Sequence, residues 1–124
     1  MPMAVRRALD VSGVHLSLRG WQDMTLAERR QLLQLGAAER VDVPAVLACL
    51  QGRHEHTRPV EALAEQAVAL GPGPELHEAV AGELALAARW SGLSALDRYV
   101  LTSLARRGKL ERLAEAVAEV LASR

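Results

Sequence analysis

A fifteen-residue pattern that occurs twice constrains this chain more than any other feature. Trp21-Gln22-Asp23-Met24-Thr25-Leu26-Ala27-Glu28-Arg29-Arg30-Gln31-Leu32-Leu33-Gln34-Leu35 aligns without a gap on Trp90-Ser91-Gly92-Leu93-Ser94-Ala95-Leu96-Asp97-Arg98-Tyr99-Val100-Leu101-Thr102-Ser103-Leu104. The shared form is W-x-x-[ML]-[ST]-x-x-[ED]-R-x-x-L-x-x-L. Thr25 and Ser94 each stand three residues before an acid, Glu28 and Asp97, which is the spacing of a capping box at a helix start. Met24 and Leu93 precede the caps, where a hydrophobic staple places an apolar residue, and Arg29 and Arg98 occupy the staple's helical position. An Arg stem can lie on that apolar residue while its guanidinium reaches solvent, an acid, or the face of the nearby Trp. Trp21 and Trp90 are expected to fill the elbows between the helices they join.

Composition agrees with a helical body. Half of the 124 residues are apolar, Phe is absent, and Trp21, Trp90 and Tyr99 are the only aromatics, while Ala, Leu, Glu and Arg dominate. A sheet protein would draw on more β-branched and aromatic residues. The expected fold is therefore all-α, a compact single-domain bundle of about six to eight short helices, built from two similar Trp and capping-box motifs with pseudo-twofold character. No strand pattern is visible. The first motif is expected over about 2–57, a connector helix over about 59–70 and the second motif over about 74–122.

Punctuation residues set the finer boundaries. Pro2 opens a first helix that Gly13 stops, Ser17 caps a short turn, and Thr25 starts a helix over Leu26–Leu35 that Gly36 ends. Asp42 and Pro44 start a third run, with Val43, Val46, Leu47 and Leu50 at helical spacing, that fades near Thr57. Pro59 begins the connector, the tetrapeptide Gly71-Pro72-Gly73-Pro74 breaks it, and Pro74 opens the helix that leads to Trp90. Ala95–Arg107 follows, Gly108 allows a left-handed stop, and Leu110, Leu113, Val117 and Leu121 form the last stripe.

Net charge is zero and the arginine pairs stand among acids, so no basic stripe of the kind that follows a phosphate backbone is present, and no nucleic-acid partner is expected. Neither a secretion signal nor an apolar stretch of membrane-spanning length occurs, which points to a cytoplasmic protein without a membrane partner. Cys49 is the only cysteine and, at the border of an apolar face, is read as a buried, inert thiol. His54 and His56 would diverge by about 200° on a helix and could not share an ion, and His54 is placed at the core edge. His77 has Ala81 where a zinc-binding helix needs a second His. The carboxylates Glu61, Glu65, Glu111, Glu115 and Glu119 fall on polar helix faces. No catalytic residue, metal site or cofactor is expected, so Trp21, Thr25, Glu28, Arg29, Trp90, Ser94, Asp97 and Arg98 are read as a structural motif rather than an active site.

The N-terminal third carries a family resemblance. Pro2, Met3, Val5, Arg6, Leu9, Asp10, Gly13, Leu16, Ser17, Leu18 and Trp21, followed by Thr25, Glu28 and Arg29, match a PM-x-VR-x-x-LD-x-x-G-x-x-LSL-x-x-W run and an [ST]-x-x-ER helix start. In this the chain resembles the nitrate reductase-associated protein family, and the segment from Trp90 to Tyr99 is similar to that family's second Trp-containing segment. The chain departs from the family in two places: the acidic, aromatic leader with a Cys that usually precedes the PM motif is missing, and Arg106-Arg107-Gly108-Lys109-Leu110-Glu111 lacks the family's His-containing segment. Members' genes commonly lie beside those of assimilatory nitrate reductase and the molybdenum cofactor. The resemblance thus implies a non-enzymatic accessory protein, with nitrate reductase or its cofactor-loading machinery as protein partner and Arg6 and Asp10 as candidate interaction positions. The alternative is a small-ligand sensor or carrier that binds in a cleft between the two motifs. The oligomeric state is left open.

Overall fold

The computed structural model describes residues 1–63 and 84–122, which are mostly helical. The chain divides into two compact units, Met1–Ala64 and Glu65–Arg124. The connector from Ala64 onward, the Gly-Pro tetrapeptide, the start of the helix opened by Pro74, and His77 lie outside the described residues.

In the first unit the elements are α1 (Met3–Ser12), β1 (Val14–Leu16), α2 (Leu18–Gln22), α3 (Leu26–Ala37), α4 (Val43–Cys49) and β2 (Thr57–Pro59). Gly13 ends α1 in the left-handed conformation, φ 71°, and its amide reaches the carbonyls of Asp10 and Leu9. Ser17, Thr25 and Asp42 cap α2, α3 and α4 through their side-chain oxygens. The core joins Val5, Ala8 and Leu9 of α1 to Leu16, Met24, Leu32, Val41, Val46 and Leu50. Its tightest seam is the α1–α3 packing. Gly36 lies within α3, not beyond its end, and a Cβ there would overlap the carbonyl oxygen of Ala4. Expecting Gly36 to stop the helix was therefore wrong: it is there because α1 and α3 approach too closely for any side chain.

The expectation of no strands also fails. β1 and β2 form an antiparallel ribbon with Val14 opposite Pro59, His15 opposite Arg58 and Leu16 opposite Thr57. The Ser17 amide donates to the His56 carbonyl at 2.8 Å and the Val60 amide to that of Gly13 at 2.9 Å, which lengthens the pairing at both ends. A two-stranded ribbon has little stability of its own, and this one is fixed by burial of Leu16 in the core. Pro59, which lacks an amide, closes a strand where a connector helix was expected to begin. The run after Asp42 stops at Cys49 rather than near Thr57, because Gly52 takes a left-handed φ of 83°. His54 consequently sits in an exposed turn rather than at the core edge.

The second unit contains α5 (Leu84–Arg89), a single 3-10 turn (Trp90–Gly92), α6 (Ala95–Arg106) and α7 (Leu110–Ala122). Leu86, Trp90, Leu93, Leu101, Leu104, Ala105, Leu113 and Val117 make its core. Ser94 caps α6 by accepting the Asp97 amide at 3.0 Å. Gly108 adopts φ 67° between α6 and α7, as its position predicted. Leu113 and Val117 of the last stripe are buried, Leu121 is half-buried, and Leu110 is 59% exposed.

Candidate functional site

The two Trp motifs share one local connection. In the first, the Arg29 Nε donates to the Trp21 carbonyl at 3.1 Å and its Nη2 to the Gln22 carbonyl at 2.7 Å. In the second, the Arg98 Nη1 donates to the Leu93 carbonyl at 2.6 Å and to the Trp90 carbonyl at 3.4 Å. The Arg eight residues after each Trp thus adds donors to carbonyls where the preceding helix or turn ends, the Trp21 and Trp90 carbonyls also accepting the Met24 and Leu93 amides at 3.2 Å. A planar guanidinium with several fixed donors suits such a cluster.

Their surroundings differ. Trp90 and Arg98 are both buried, 3% and 8% exposed. Trp21 is only half-buried: it packs against the first core, and the Arg29 guanidinium lies over its ring, 5.1 Å from the centroid. Arg29 thus reaches a Trp face as anticipated. Arg98 instead turns inward to backbone carbonyls, a destination absent from the expected set. Met24 and Leu93, the residues before the caps, are both buried.

Glu28 completes the first motif. Its carboxylate accepts from the Thr25 amide at 2.9 Å while its own amide donates to the Thr25 hydroxyl at 3.2 Å, and both of its oxygens lie within 2.8 Å of the Arg53 Nη2. The Arg53 bond, then those with Thr25, hold the Glu28 carboxyl at about 2 against an ordinary 4.5. A depressed folded-state pKa contributes stability above the unfolded value and loses it as pH falls through the window from 4.5 to about 2. Glu28→Gln should therefore melt below the parent at pH 7, with the difference vanishing near pH 2. Thermal melts across that range check the sign, and an undiminished difference at the acid end would refute the linkage. Beside this pair, His56 Nε2 lies 3.6 Å from Asp23 Oδ2, and its Cβ packs so closely on Gly20 that a Cβ there would come within 2.6 Å.

One polar anchor escaped the sequence reading. Arg7, which the pattern marks only as the second half of an Arg pair, is 1% exposed. Its Nη1 donates to Gly36 at 2.8 Å and to Ala38, and its Nη2 to Glu39 at 2.9 Å, all through carbonyl oxygens at the C-terminus of α3. The available signal was its spacing, since Arg7 lies three residues after buried Ala4 on the face that meets α3. The candidate interaction positions are less engaged: Arg6 is half-buried, and Asp10 is exposed with its backbone carbonyl accepting from the Gly13 and Leu63 amides. Arg7→Lys should cost about 2 kcal/mol, because one ammonium cannot replace a fork that spans three carbonyls. Urea denaturation measures it, and an unchanged midpoint would contradict the anchor.

Cys49 is half-buried, and burial, with a smaller push from Glu28, raises its thiol above the ordinary value. Among the described residues no three His, Cys, Asp or Glu side chains converge as metal ligands would. None of the helices described there is long and apolar enough to cross a membrane.

Capped helices, with arginines bound to carbonyls at helix ends, define a small helical protein. A family model for the conserved nitrate reductase-associated proteins matches residues 1–120, both Trp motifs included, and the chain belongs to that family. No curated protein and no solved structure matches it.

Proposed function

We propose that this chain is a non-enzymatic, cytoplasmic accessory protein of assimilatory nitrate reductase, acting by protein–protein contact to support the enzyme's maturation or activity. Membership of the nitrate reductase-associated family across residues 1–120 carries the reading. The raised Cys49 thiol, a weaker nucleophile than a free thiolate, is compatible with a binding rather than a catalytic role. The test is a deletion strain grown on nitrate, paired with affinity capture of the tagged chain. Reduced reductase activity on deletion and recovery of the reductase or its molybdenum-cofactor proteins are expected. Full activity without the gene, together with recovery of neither, would reject the proposal.

A further inference from the structure

α3 has two apolar faces, and only one of them is used inside the first unit. At about 100° per residue, Leu32 and Gly36 point to α1 and the core, whereas Leu26, Arg30, Leu33 and Ala37 fall within about 60° of one another on a different face. Their spacing, i, i+4, i+7 and i+11, is that of a helix seam. Leu26 is 63% exposed and Leu33 is 40% exposed, and Arg30 and Ala37 are exposed as well. Arg29 borders Leu33 on the wheel and lies over half-buried Trp21, which extends the apolar strip with an aromatic edge.

Charge decides what such a strip would accept. Arg29 is bound to neutral carbonyls, and Arg30 meets no carboxylate among the described residues. Of the acids in this motif, Glu28 pairs with Arg53, and Asp23 lies 3.6 Å from His56. Among the described residues, the strip is thus apolar with a positive border that meets no carboxylate. A second copy is a poor occupant, because antiparallel pairing of two α3 seams sets Arg30 against Arg30 and parallel pairing also aligns like charges.

We propose that the Leu26–Leu33 face of α3, with Trp21, Arg29 and Arg30 at its border, docks an amphipathic helix of a partner protein that carries apolar residues at i, i+4 and i+7 flanked by Asp or Glu. The proposal rests on the accessory role inferred above and assigns it a surface. Purified full-length chain is titrated against purified nitrate reductase and, separately, against a labelled model helix with leucines at those positions and glutamates on the flanks, with a lysine-flanked helix as comparison. Parent chain should prefer the glutamate-flanked helix by about tenfold, Leu33→Asp should weaken binding by about tenfold or more, and Arg30→Glu by about three- to tenfold, most strongly at low salt. Both substitutions are on exposed positions, and unchanged melting temperatures confirm that the fold is intact. Should the parent bind reductase and Leu33→Asp bind it equally well, the surface is wrong while the accessory role stands. Should the parent bind neither the reductase nor its molybdenum-cofactor proteins yet discriminate the two helices through Leu33, the surface stands and the accessory role fails. Equal binding of both helices, or a parent dimer that Leu33→Asp dissociates, overturns the proposal.

Discussion

Gly36→Ala is expected to destabilise the first unit by at least about 3 kcal/mol, more than the single methyl group would suggest. An added Cβ would overlap the Ala4 carbonyl oxygen, with the Ala4 carbonyl carbon and Cα close behind, so the obstacle is backbone that cannot rotate away. Relief requires α1 to move off α3, and that movement also opens the contacts of Val5, Ala8 and Leu32 and pulls Arg7 from the carbonyls at the end of α3. Gly52→Ala is the control. Gly52 has φ 83° and nothing within 4 Å of an added Cβ, so its substitution should cost only about 1–2 kcal/mol of left-handed strain. Denaturant unfolding of both variants separates packing from backbone strain. A Gly36→Ala protein as stable as the parent would mean that the α1–α3 seam is not as close as described.

Trp90→Ala should cost about 3–5 kcal/mol, whereas Trp21→Ala should cost about 1–2 kcal/mol, although the two tryptophans occupy the same place in the repeated pattern. Trp90 is 3% exposed in the second core, and its loss leaves a cavity lined by residues such as Leu86, Leu101 and Leu113. Repacking around that cavity also disturbs Arg98, whose charge is buried and depends on the Trp90 and Leu93 carbonyls staying in place. Trp21 gives up less because it is only half-buried and the Arg29 guanidinium over its ring can turn to water. Thermal unfolding followed by circular dichroism reads both. Equal losses would show that the two elbows are packed alike.

The sequence carried the local architecture because caps and left-handed stops are decided by a few adjacent atoms. Thr25 with Glu28, Ser94 with the Asp97 amide, and Gly13 and Gly108 at positive φ all follow from short-range hydrogen bonds or from backbone sterics. What could not be read depended on neighbours distant along the chain. Arg7 reaches carbonyls about thirty residues away, and its burial is set by where α3 ends. Gly36 looks like a stop signal until α1 is seen to cross it. The β1–β2 ribbon is three residues wide on each strand, too short for an alternation signal, and it joins segments more than forty residues apart. Of the candidate site, the Trp-to-Arg linkage was partly visible through the repeat. The exposed second face of α3 was hidden, because leucines at helical spacing look the same whether or not anything covers them.

The most direct test of the central proposal, that this chain acts by binding nitrate reductase or its cofactor-loading proteins, is an equilibrium titration of the purified full-length chain into each of those purified proteins, followed by sedimentation. A saturable complex that persists at physiological ionic strength is predicted. Absence of a complex with any of them, with the chain at about 100 μM, would contradict it, since an association weaker than that carries under about 6 kcal/mol.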